Sequence, residues 1–119
     1  MHIVRIYTGE DGESHFEDID IDFEDHGPIG RISNLWRGKG VIFREVDGDY
    51  DYDFHNAPRR QFVVNLTGSV DIVTGSGEQR RLGPGSILLA EDLTGRGHRS
   101  VAVNGEPRTC LFVPLEESE

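Results

Sequence analysis

At 119 residues the chain has room for one domain built on a single moderate core. Its 22 acidic against 12 basic residues, a formal charge of −10, disfavour both sequence-independent nucleic-acid binding, which needs Lys and Arg clusters, and an anionic membrane surface. No apolar run approaches a membrane span, the N-terminus lacks a tripartite secretory signal, and the lone Cys110 rules out an internal disulfide, so cytoplasmic residence is expected.

The chain reads as short strands divided by turn formers. Ile3 to Tyr7 is a strand closed by Thr8-Gly9-Glu10-Asp11-Gly12. After Phe16, the apolar Ile19, Ile21 and Phe23 alternate with Asp18, Asp20 and Asp22, a period of two that gives one dry face and one solvated acidic face. His26-Gly27-Pro28-Ile29-Gly30 is a turn or bulge, because Pro donates nothing to a sheet ladder. Ile32 to Trp36 and Val41 to Val46 are further strands, with Trp36 an anchor for a core or an interface. Asp47 to Asp53 carries four acids but lacks the glycine, the distant Glu and the helices of an EF-hand, so it reads as a solvated acidic loop.

The stretch His55 to Gly68 brings polar, potentially ligating side chains into an otherwise apolar run. His55, Arg59, Gln61, Val63 and Asn65 share one parity and Phe62, Val64 and Leu66 the other, so an extended backbone points His55 and Gln61 to the same side. Pro58 leaves open whether Arg59 or Arg60 faces inward. Ser69 to Thr74 and Gln79 to Leu82 form a hairpin around Gly75-Ser76-Gly77-Glu78. Strands over Ser86 to Ala90, Arg99 to Val103 (opened by His98) and Arg108 to Pro114 follow, and residues 116–119 are a fraying tail.

No stretch sustains an amphipathic helix, which argues an all-β antiparallel sandwich or barrel in one domain, residues 1–119. Phe62 to Leu66, Ile87 to Ala90 and Cys110 to Val113 are apolar on both parities, so the outer face must be covered by residues 1–47 or by a second subunit. A homodimer is the expectation.

Residues 48–115 resemble a small single-domain cupin, a jelly-roll barrel of the double-stranded β-helix type. The first motif of that family is a glycine, a His-x-His pair, a Glu and a final Gly. Here His55 stands at the first histidine, Ala57 at the second, Gln61 at the glutamate and Gly68 at the closing glycine, with Gly48 one position early. In the second motif Gly85 fits the opening, Glu91 replaces the proline, Gly95 falls two positions late, Arg96-Gly97 form the pair, His98 is the histidine and Ala102 replaces Asn.

The resemblance implies a divalent metal (iron, manganese, nickel or zinc) held by His55, Gln61 and His98, with dioxygenase, isomerase or lyase chemistry. Gln61 replaces the only anion of that set and Ala57 coordinates nothing, so the metal is held weakly, with the loop carboxylates Asp53, Glu91 or Asp92 as further donors. Two other readings stay open. A metal-free pocket formed by His55, Arg59, Gln61, Asn65 and His98, walled by Val63 and Ile87 or Leu89, binds a carboxylate, a sugar or another polar small molecule. Alternatively His55 and His98 act as general base and acid. His15 is the one further histidine near a plausible barrel mouth.

Overall fold

The period-two runs become strands in the computed structural model, which describes residues 1–116 and contains no α-helix among them. In chain order they are β1 (His2–Thr8), β2 (Ser14–Asp20), β3 (Glu24–Asp25), β4 (Arg31–Ile32), β5 (Ile42–Val46), β6 (Asp51–His55), β7 (Gln61–Thr67), β8 (Val70–Thr74), β9 (Gln79–Leu82), β10 (Ile87–Glu91), β11 (His98–Ala102) and β12 (Arg108–Pro114). No helix among the described residues is long and apolar enough to cross a membrane. Of the tail expected to fray, residues 117–119 lie outside the described residues, while the Glu116 amide donates to the Arg37 carbonyl at 2.9 Å.

Six strands form one sheet in the order β2-β1-β10-β7-β12-β5 and four form another in the order β6-β11-β8-β9, with β3 and β4 a separate two-residue ladder. Only β1 against β10 runs parallel within the six-stranded sheet. The inward face of that sheet follows from register. Val4 sits opposite Leu88 and Ile6 opposite Ala90, and these four pack on Val70, Ile72 and Leu82 of the four-stranded sheet. The alternate residues Ile3 and Leu89 form a second apolar cluster with Leu115 on the outer face.

The run Ile87 to Ala90, apolar on both parities, is thereby explained: β10 packs inward through Leu88 and Ala90 and outward through Ile87 and Leu89. Ile19, Ile21 and Trp36 close over the outer cluster, and Trp36 meets Phe62 edge-on with ring centroids 5.1 Å apart. The N-terminal segment thus supplies part of the cover. Leu35, Phe43 and Leu66 stay exposed, Phe43 at 82%.

A closed barrel was the expectation, and here the structure differs: the two sheets face one another without closing. The adjoining edges β2 and β9 meet through side chains instead of a ladder, with Arg80 donating to both Asp18 oxygens at 2.9 Å. The acidic parity of β2 therefore carries a specific contact besides its solvated role. A second difference concerns His55 and Gln61, which share no strand. Asn56 to Arg60 break the run, so His55 ends β6 in one sheet and Gln61 opens β7 in the other. The two still line one cavity, but from facing sheets and not along one backbone.

Candidate functional site

Between the sheets lies a cavity of about 210 Å³, below the roughly 300–1,000 Å³ of drug-sized ligand pockets. Its floor is apolar, made by Val63, Val70, Ile72, Leu82, Leu88 and Ala90. His55, Gln61, His98, Ser100, Arg44 and Arg108 supply its polar groups, and Tyr50 and Tyr52 also line it.

The two imidazoles are brought together by pairing. His98 opens β11 and lies directly opposite His55, the last residue of β6. Their ring centroids are 4.6 Å apart. The ladder then slips, so that Ser100 faces Tyr52, and the extra residue in β6 is a β-bulge. In a regular strand Tyr52 and His55 would point to opposite faces. With the bulge both line the cavity and stack, centroids 3.8 Å apart and planes 12° from parallel. The close approach of the two chains also needs Gly97, whose φ of 77° suits glycine and where a Cβ would stand 2.0 Å from the His55 carbonyl oxygen.

Both rings are fixed through Nδ1. His55 Nδ1 donates to the Asp53 carbonyl at 2.7 Å, and His98 Nδ1 donates to Asp92 Oδ2 at 2.5 Å. Asp92 is fully buried, and the same oxygen accepts the Ser14 hydroxyl at 2.7 Å. Nε2 is left on each ring without a protein partner among the described residues. Burial holds His55 below its ordinary imidazole value. The Asp53 carbonyl bond and the Asp92 charge oppose this, and His98 and Arg44 reinforce it.

The other residues singled out in the sequence divide. Gln61 is 3% exposed and lines the cavity, its Oε1 accepting from Arg59 Nη1 at 2.9 Å. Arg59 itself is exposed, reaching Gln61 from outside, and does not line the cavity. Arg60 does not line it either, because its guanidinium pairs with Glu91 on the outer face. Asn65 is buried on the expected face yet serves the fold: its amide donates to the Gly68 carbonyl at 2.7 Å across the turn after β7. Of the expected walls Val63 is correct, but Ile87 and Leu89 belong to the outer cluster, and Leu88 and Ala90 take their place.

None of the three loop carboxylates lines the cavity. Asp53 is exposed and offers His55 its carbonyl, Asp92 stands behind His98, and Glu91 is held by Arg60 and Arg5. Burial works to raise Glu91, and those two guanidinium groups outweigh it and keep the carboxyl below its usual value. His15 lies outside the cavity, bonded to Asp11 at 3.0 Å. Cys110 is 1% exposed, as an apolar core residue should be.

Four contributors were not legible in the sequence: Ser14, Arg44, Arg108 and the positioning role of Asp92. Arg108 is 6% exposed, and its Nη1 reaches only the Asn65 amide oxygen at 3.5 Å. Burial pushes its guanidinium below the ordinary value, and neighbouring Arg44 adds repulsion. Arg44 lies over the rings of Tyr50 and Phe112, 5.1 Å from each centroid. Arginines in apolar strands read as solvated edge residues, so only the inward parity of β5 and β12 identifies these two.

Fold and cavity together define a small all-β protein with a cavity between two sheets that combines apolar walls with a few polar groups. No protein-family model and no curated protein matches the chain. Among solved structures it is similar to protein NMB1881 from Neisseria meningitidis, with a TM-score of 0.50 and 16% identity, over 71% of this chain and 89% of that one. At that identity the likeness speaks to the fold alone.

Proposed function

We propose that this chain is a cupin-like protein of the double-stranded β-helix type whose cavity binds a small polar molecule against His55 and His98. The single observation that carries the reading is the pair of facing imidazoles, each fixed through Nδ1 and each with Nε2 unpartnered, in a cavity with apolar walls. Proton transfer is the chemistry this pair can serve. Neutral His55, with its hydrogen on Nδ1, presents a lone pair at Nε2 and acts as base. His98 is the acid of the pair: carrying a proton on Nε2 it gives that proton up, and the Asp92 carboxylate that accepts from Nδ1 orients the ring and offsets the charge of the protonated form.

A divalent metal fits this site poorly. Its donors would be His55, His98 and the Gln61 amide, no carboxylate lines the cavity, and Arg44 and Arg108 place two cations there already. A dication would meet repulsion with no anion to offset its desolvation.

The homodimer remains a proposal, seated on the exposed Leu35, Phe43 and Leu66. Sedimentation as a monomer at all concentrations would remove it.

A thermal-shift screen of organic acids and sugars tests the pocket. At least one compound should raise the melting temperature of the wild-type chain, with the rise lost in His55→Ala and Gln61→Ala. Absence of any shift across both classes would overturn the reading.

A further inference from the structure

The chain neutralises its buried or half-buried arginines with care, and two are left out. Arg5, Arg60, Arg80 and Arg99 each have a carboxylate oxygen within 2.9 Å. Arg44 and Arg108 have none among the described residues, in a protein with 22 acidic side chains to draw on. They also lie close enough to repel one another, and both face the cavity. A buried cation without a counter-ion is costly, and two side by side are costlier still, unless an anion arrives from outside.

We infer that the cavity takes a small organic carboxylate, its charged end held by Arg44 and Arg108 and its body lying on the apolar floor toward His55 and His98. The inference rests on the pocket reading above and names the class of molecule. A planar guanidinium matches a carboxylate through paired hydrogen bonds. The remaining walls decide between an organic acid and an inorganic oxyanion. Phosphate is hydrated on every side and would lose that hydration against Val63, Ile72 and Leu88, whereas a carboxylate with a short hydrocarbon body satisfies both ends of the cavity. At about 30 Å³ per water the 210 Å³ amount to about seven waters, which suits an acid of four to six carbons by order of magnitude. The imidazoles then stand beside the body of the acid, away from its carboxylate.

Titration calorimetry on the full chain with butyrate, its neutral isostere butyramide and inorganic phosphate tests the assignment. Butyrate should bind about ten- to a hundred-fold more tightly than butyramide, and Arg108→Met should weaken butyrate by a similar factor. Because the substitution removes an unpaired buried charge, the melting temperature of Arg108→Met without ligand should equal or exceed that of the wild type. Arg44→Gln should weaken butyrate in the same direction and decides the matter if Arg108→Met does not fold. Equal affinity for butyrate and butyramide, phosphate binding tighter than butyrate, or butyrate affinity unchanged in the arginine variants would overturn the inference. An uncharged sugar that binds wild type and Arg108→Met alike would overturn it while leaving the pocket reading intact. Failure of every probe in both experiments would remove the two together.

Discussion

His55 and His98 are chemically the same side chain in two different settings. His55 sits at the cavity mouth under Tyr52 with only a carbonyl on its Nδ1, while His98 is 6% exposed and backed by a buried carboxylate. For His55 the consequence can be measured through stability. Its imidazole lies below the ordinary 6.5 in the folded chain, so between those two values the unfolded chain binds more protons. Stability contributed by neutral His55 is complete above about 6.5 and is lost as the pH falls through that value toward the folded one. Urea melts of the wild type and of His55→Gln should therefore diverge in pH dependence just below 6.5, the variant losing less on acidification. Parallel curves would show that burial does not disfavour the charged ring.

The strand pair β6 and β11 is the element that makes a site from these residues. Its bulge turns Tyr52 and His55 to the same side, and Gly97 lets the chain before β11 lie against the His55 carbonyl. Gly97→Ala should thus separate the imidazoles. A loss of about 1–3 kcal/mol in unfolding free energy is expected, from a strained positive φ and a backbone clash. Ligand-induced thermal shifts should disappear in the same variant, and unchanged stability and binding would contradict this role for the glycine. The sequence carries part of this element. His55 is visible from its place beside an apolar run and His98 from the resemblance to the second cupin motif, and strands were legible because period two and turn residues recur. The bulge was not, since it arises from pairing between β6 and β11, which no local pattern encodes. The same limit explains Ile87 and Leu89: a run apolar on both parities does not say which parity is inward.

At the scale of the whole molecule, two sheets divide the work. The six-stranded sheet brings Gln61, Arg44 and Arg108 to the cavity, and the four-stranded sheet brings His55 and His98. Residues 1–47 carry no recognisable motif, yet Ser14 bonds the carboxylate behind His98 and Arg44 lines the cavity. Pairing with strands outside the motif stretches therefore supplies Ser14, Arg44 and Arg108 to the site. The all-β class and its turns were readable from local residues alone. An open sandwich instead of a closed barrel was not, because it depends on whether the edges β2 and β9 join by backbone or, as here, by Arg80 and Asp18.

On the proposed reading, molecules enter this cavity with their charge on the arginines and their body beside the imidazoles. An electron-density map from crystals grown with butyrate addresses it most directly. A carboxylate is expected against Arg44 and Arg108, with the chain of the acid running toward Nε2 of His55 and His98. A cation bridging the two imidazoles, or butyrate only on the outer surface beside a cavity filled by its own side chains, would contradict it.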